Sequence, residues 1–232
     1  MLTVVNVGGP LARSTGDDAL ATLCRALGEA AAEHPIIIVP GGGRFADTVR
    51  DAGRRFGLRG PTTERMTLLA MDQFGCLLGD LIPDAVLCRS VTRAREEAES
   101  GHAAVLLPAE QLIGEEVLTG SWAVTSDSIA LWVAGVTGGA RTLLLKPADG
   151  VFAEWPTDRE PPPMRVSELA SLHPSVEGGD MSSALEAAGV DAWVVSGRDP
   201  DRLLDLLRVD GPAATSVVRS AAERGADPRP RT

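Results

Sequence analysis

The stretch IIIVPGGGRFADTVRDAGRRFG, residues 36–57, decides the fold. A β-branched run is stopped by a proline and three glycines, and a helical pattern follows. A short apolar run bounded by turn residues reads as a buried strand, and the change of period reads as a helix start. The residues before it repeat the arrangement. LTVVNV, residues 2–7, runs into Gly8-Gly9-Pro10. DDALATLCRALGEAAAE, residues 17–33, then has apolar positions at helical spacing, with acids in the first turn where the helix dipole favours them. Strand, glycine turn and helix, twice over, is the alternation of an α/β protein with a mainly parallel sheet.

The alternation continues downstream. TTERMTLLAMDQFGCLLGDL, residues 62–81, predicts a long helix with Thr62 as N-cap and Glu64 in the first turn. Its expected buried stripe is Met66, Leu69, Ala70, Phe74, Leu77, Leu78 and Leu81. Residues 84–88 predict a short strand, 92–100 a solvated helix and 103–108 another strand. SDSIALWVAG, residues 126–135, predicts a helix capped by Ser126, with Gly135 just past its end. TLLLK, residues 142–146, is a further strand. Residues 156–163, rich in proline and charge, read as an exposed loop. RVSELA, SALEAAG, AWVVSG and PDRLLDLLR then give a second, smaller alternating set. No linker divides the chain, so a single domain with two lobes is expected over residues 1–221, with a frayed tail at 222–232.

Bulk composition narrows the function. A chain of 232 residues, 44% hydrophobic, can bury a full core. A net charge of −10 argues against nucleic acid as a partner, since that requires a basic surface. Cys24, Cys76 and Cys88 are odd in number and lack CxxC spacing, so buried free thiols in a reducing compartment are expected. His34, His102 and His173 are too scattered to predict a metal site. The start of the chain lacks a signal pattern, and no apolar run approaches about 18 residues. A soluble, cytoplasmic protein with no membrane partner is the expectation.

The chemistry gathers at the strand ends. Glycine permits close backbone approach, so amide N–H groups at a helix start can converge on an anion. Two glycine turns from adjacent βα units lie together at the carboxyl edge of a parallel sheet, where ligands bind. The pattern is neither GxxxxGK[ST] nor GxGxxG, so neither a Walker loop nor a dinucleotide fold is indicated. Lys146 ends the strand TLLLK and is the chain's only lysine, among 22 basic residues. Drift toward arginine in a GC-rich genome explains the other basic residues and leaves this one to be explained by chemistry. An ammonium is a compact charge on a flexible stem, suited to a moving phosphoryl group. Asp127 falls in the first turn of its helix, as either a simple dipole partner or an orienting carboxylate. By spacing alone Asp149-Gly150 is a turn and Asp72, off the apolar stripe, is solvated.

Together VVNVGGPL, IIIVPGGGRFAD, VTSDSIALWVA and LLLKPADGVF occur in the order and approximate spacing of the amino acid kinase family, and the chain resembles that family over most of residues 2–152. AMDQFG and VTSDSIA are most similar to a small archaeal-type branch that includes the aminomethylfuran phosphate kinase of methanofuran biosynthesis. The resemblance implies a three-layer αβα sandwich with a mainly parallel central sheet. It also implies an ATP-dependent, Mg2+-assisted small-molecule kinase acting on an acidic or phosphorylated acceptor, working by positioning and charge neutralisation without a phosphoenzyme. A homo-oligomer, or pairing with a paralogous subunit, is implied as well. Carried over, Lys146 holds the transferring phosphate and Asp127 orients it. Gly8, Gly9, Gly41, Gly42 and Gly43 present backbone amides. Asp149 and Gly150 lie by the nucleotide, and Asp72 and Arg44 face the acceptor. Two positions depart from the pattern: Asn6 stands where the family has a lysine, and Pro10 where it has a serine. Arg13 or Arg44 can replace the missing charge. Otherwise the chain is a pseudokinase, binding ligand or a partner subunit without catalysis.

Overall fold

The β-branched run at 36–39 does form a strand, β2 (Ile36–Pro40), and every residue of it is buried. The structure, a computed structural model, describes residues 1–13, 17–113, 125–138, 141–147, 164–165, 188–208 and 216–219. Strand β1 (Thr3–Val7) pairs in parallel with β2 on one side and with β5 (Arg141–Lys146) on the other. Beyond β2 lie β4 (Ala103–Leu106) and the edge strand β3 (Ala85–Cys88). Beyond β5 lie β7 (Ala192–Ser196), β8 (Ser216–Arg219) and the short β6 (Met164–Arg165). Among the described strands, only the β7–β8 pairing is antiparallel in this eight-stranded sheet. After β2 the chain builds outward to one side of β1, and from β5 it builds to the other. In open parallel sheets ligands bind outside the carboxyl ends of the strands at such a switch point.

Successive strand residues point to opposite faces, and the two cores follow that alternation. Val4, Ile37, Ala104 and Leu144 pack under α4 (Val91–Glu99), α5 (Ala109–Leu112) and α6 (Ser126–Thr137). Val5, Ile38, Val105 and Leu143 pack under α1 (Asp17–Glu33) and α7 (Pro200–Arg208). This is the αβα sandwich with a mainly parallel sheet that the resemblance implied. Among the described residues no helix is long and apolar enough to cross a membrane.

Helix α2 (Gly43–Phe56) ends at Gly57 in the left-handed conformation. Helix α3 (Gly60–Leu81) departs from its sequence expectation at both its start and its stripe. Arg59 is the N-cap and Pro61 sits in the first turn, where its missing N–H costs nothing. Thr62 is therefore inside the helix, and Glu64 lies beyond a first turn that has no acid. The buried residues are Leu68, Ala70, Met71, Phe74, Gly75 and Leu78, whereas Leu69, Leu77 and Leu81 are exposed. Apolar residues cover two adjacent faces of this helix, so periodicity alone does not choose between them. Packing does: Leu68 and Met71 enter one core, Phe74 and Leu78 the other. Cys24 and Cys88 are buried, and burial pushes their thiols up to about 12 and about 11. Cys76, expected to be buried, is exposed on α3.

Helix α6 begins one residue earlier than Ser126 implied. Thr125 is the N-cap, accepting from the Ser128 backbone N–H, while Ser128 Oγ accepts from Thr125 N in return. The helix runs through Gly135 and stops at Gly138, which is left-handed. Gly135 instead lets Ala188 approach, since a Cβ there would lie 3.2 Å from the Ala188 Cα. Thr125→Ala should cost about 0.5–2 kcal/mol, the usual loss for an N-cap, read from the denaturant midpoint.

Candidate active site

The carboxyl ends of β1 and β2 turn against each other backbone to backbone. Gly41 N donates to Val7 O at 2.9 Å, and Gly8 N donates to Leu145 O at 3.2 Å. A Cβ on Gly41 would stand 2.3 Å from Gly9 N, and one on Gly9 2.7 Å from Gly43 N. A Cβ on Gly8 would stand 2.6 Å from Leu145 O. Gly42 faces Ala46, whose Cβ an added methyl would meet at 2.3 Å, and Gly43 takes φ 54°, which a side chain would resist. The run of glycines is thus a packing requirement as well as a potential anion cradle. One expectation changes as a result. The amides of Gly8 and Gly41 already donate within the sheet, so they are not open to a ligand. The amides of Gly9, Gly42 and Gly43 open the 3-10 helix Gly9–Arg13 and helix α2, where helical geometry supplies no acceptor.

Lys146 reaches the same edge. Its Cδ lies 3.8 Å from where a Gly8 Cβ would be, so the lysine stem runs beside the first glycine turn. Its ammonium donates to both oxygens of Asp127, at 2.8 Å to Oδ1 and 2.7 Å to Oδ2. The carboxylate is 8% exposed and the lysine side chain 29%, so one end of the pair is dry and the other open. Asp127 occupies the first turn of α6, where the Thr125 cap fixes the helix start. Two donors of the ammonium are taken, leaving a third for another group.

Asn6 sits two residues before Gly8 on the same sheet face, fully buried. Its Nδ2 donates to Val39 O at 3.2 Å, tying β1 to β2. Its Oδ1 has no partner among the described residues. An acceptor left so costs about 1–3 kcal/mol. A neutral side chain therefore fills the place where a second cation was looked for. Pro10 is exposed in the 3-10 helix, and Arg44 is exposed in the first turn of α2 beside the second glycine turn. The side chain of Arg13, together with Asp149 and Gly150, lies outside the described residues.

Asp72 is half-buried rather than solvated. It projects from α3 toward the start of α5, where its Oδ1 accepts from Ala109 N at 3.0 Å. Desolvation raises its pKa, against the lowering effects of the Ala109 bond and Arg89. A carboxyl whose folded pKa is raised stabilises the fold below its unfolded value and loses that contribution as pH rises through the folded value. Asp72→Asn keeps an acceptor for Ala109 and abolishes the titration. Its stability relative to the natural protein should rise from acid to neutral pH, while Asp72→Ala should lose about 1 kcal/mol with the hydrogen bond. Denaturation midpoints at several pH values check both outcomes.

A third turn at this edge was not singled out from sequence. Gly197 N donates to Lys146 O at 2.8 Å, and a Cβ on Gly197 would come within 2.6 Å of Leu11 Cδ1. The signal was present in AWVVSG, another apolar run ending in glycine.

Similar proteins agree with this architecture. A 25% identical relative is the [5-(aminomethyl)furan-3-yl]methyl phosphate kinase of Methanocaldococcus jannaschii, aligned over 93% of this chain and 97% of its own. An acetylglutamate kinase of Frankia casuarinae is 29% identical over 54% of this chain and 36% of its own. Among solved structures, uridylate kinase from Archaeoglobus fulgidus superposes with a TM-score of 0.71 at 16% identity, covering 94% of this chain and all of its own. UMP kinase from Ureaplasma parvum gives 0.72 at 14% identity, over 95% of this chain and all of its own. The amino acid kinase family model matches residues 1–192, and the chain belongs to that family.

Proposed function

We propose that this chain is an ATP-dependent kinase that phosphorylates a small phosphomonoester bearing an amine, in a methanofuran-type one-carbon coenzyme synthesis in the cytoplasm. One observation carries the reading: the chain's only lysine lies against a glycine turn at the sheet's switch point, with its ammonium held by a buried carboxylate. The site suits phosphates, because the amides of Gly9, Gly42 and Gly43 open helical segments in which they have no intrahelical acceptor. When bound, Mg-ATP supplies the phosphoryl group and a metal that offsets its charge.

The residues present then act by position. Lys146 gives its remaining donor to a phosphate oxygen, and Asp127 keeps the ammonium aimed. Gly9, Gly42 and Gly43 direct amides toward the same anion, helped by the start of α2. In this reading Asp72 pairs with the acceptor's amine, and Arg44 with its phosphate. The 25% identity with the archaeal kinase supports this acceptor class.

A second reading, nucleotide binding without transfer, draws on Asn6. A buried, uncharged side chain there means that, among the described residues, Asp127 balances the Lys146 charge and β1 supplies no second cation. One experiment separates the two. The protein is incubated with Mg-ATP and [5-(aminomethyl)furan-3-yl]methyl phosphate, and ADP and the diphosphate product are measured. Acceptor-dependent product supports the kinase. Mg-ATP binding without product supports the second reading, and no binding at all removes both.

A further inference from the structure

Asn6 holds an oxygen that the protein around it does not satisfy. The residue is fully buried, and its Oδ1 has no hydrogen-bond partner among the described residues. The orientation of the amide is fixed, because Nδ2 donates to Val39 O at 3.2 Å and a reversed amide would set two oxygens against each other. Buried acceptors are nearly always paired, so this one calls for an explanation.

Its place says what would satisfy it. Asn6 stands beside Val39 of β2 and Leu144 of β5 in the sheet register. Val4 and Leu144 pack on the α6 side, and strand residues two apart share a face, so Asn6 and Lys146 belong to that side as well. The next position of β1 on this face is Gly8, which has no side chain, and the flexible Lys146 stem lies beside it. Among the described residues of β1, β2, β5 and α6, the charged groups on this face are Lys146 and Asp127, and they balance each other. Phosphate oxygens accept hydrogen bonds, as Oδ1 does, so a phosphate brought against Asn6 sets acceptor against acceptor. A cation between them satisfies both.

We propose that Asn6 Oδ1 is a ligand to a potassium ion that bridges it to the nucleotide phosphates and supplies the positive charge that β1 lacks. The inference rests on the nucleotide site proposed above. Amide carbonyl oxygens readily replace the hydration shell of potassium, whereas magnesium gives up its water reluctantly. An oxygen sealed from water therefore favours potassium. Among the described residues no group of three His, Cys, Asp or Glu side chains could hold a metal ion. The rest of the shell comes from phosphate oxygens and water, as it does for the magnesium of nucleotide sites. Potassium thus binds together with the nucleotide.

Calorimetric titration of Mg-ATP in chloride salts of potassium, ammonium, sodium and tetramethylammonium, each at about 0.1 M to hold screening constant, tests the proposal. The natural protein should bind Mg-ATP at least about tenfold more tightly in potassium than in tetramethylammonium, which is too bulky to reach Asn6. Ammonium should substitute for potassium. Asn6→Lys brings its own ammonium, so its Mg-ATP affinity should be the same in all four salts. Asn6→Leu removes the oxygen, and should bind weakly in every salt, with thermal melts as the fold control. Equal affinity of the natural protein in all four salts would overturn the potassium site and leave the kinase reading standing. A potassium effect that persists in Asn6→Lys would overturn it too. Failure to bind Mg-ATP in any salt would remove the nucleotide site itself, and the potassium site with it.

Discussion

Lys146→Ala is expected to cut phosphoryl transfer by about 10²–10³-fold, the usual loss when a cationic or hydrogen-bonding stabiliser of the transition state is removed. It should also lower stability, because Asp127 is left buried without the ammonium that both its oxygens accept from. A buried acceptor of a charged hydrogen bond, once orphaned, costs about 1–3 kcal/mol. The two effects are separable. Lys146→Ala/Asp127→Ala removes the orphaned carboxylate, so the melt should recover while transfer stays low. Lys146→Arg should recover transfer only in part, since the guanidinium is larger and its charge is spread over a planar fork. If the double change restored transfer along with the melt, Lys146 would be structural only.

Gly41→Ala is expected to be the most damaging single methyl among the described glycines. The added Cβ would stand 2.3 Å from Gly9 N, and 3.0 Å from its Cα, so backbone rather than a flexible side chain must move. Overpacking of this kind costs about 1–3 kcal/mol and occasionally more. The movement pries apart the two glycine turns, so Mg-ATP affinity should fall with stability. Gly53→Ala is the matched control: inside α2 its Cβ would meet Thr63 Oγ1 at 3.7 Å and Thr63 Cγ2 at 3.8 Å, ordinary contact distances, and its φ is not positive. It should be neutral or slightly stabilising. Melts and binding on both variants check the contrast.

Much of the fold was legible because the central strands β1, β2, β4 and β5 are short, almost wholly buried and soon followed by glycine or proline. IIIV before PGGG has one reading, and β2 follows it. Helix α3 was legible in extent and misread in orientation. Its apolar residues cover more than one face, and only contact with α2 and the strand ends selects which is buried. The cap of α6 was misplaced by one residue because Thr125, Ser126 and Ser128 are all competent, and the choice rests on which backbone N–H groups they reach. In the site, Lys146 was legible through its scarcity, and Asp127 through its place in a first turn. Their meeting was not, since it requires β5 and α6 to be stacked. The engagement of Gly8 and Gly41 amides in the sheet was hidden too, because sequence shows which residues have an N–H but not where it is spent. Nor did it show that Asn6 is sealed, with one oxygen unpartnered among the described residues.

The central claim is that the edge formed by the glycine turns and Lys146 holds nucleotide phosphates. Calorimetric titration of Mg-ATP into the natural protein, Lys146→Ala and Lys146→Arg tests it most directly. The account predicts binding by the natural protein, at least about tenfold weaker binding by the alanine form, equivalent to about 1.4 kcal/mol, and an intermediate affinity for the arginine form. Equal Mg-ATP affinity in all three proteins would contradict it.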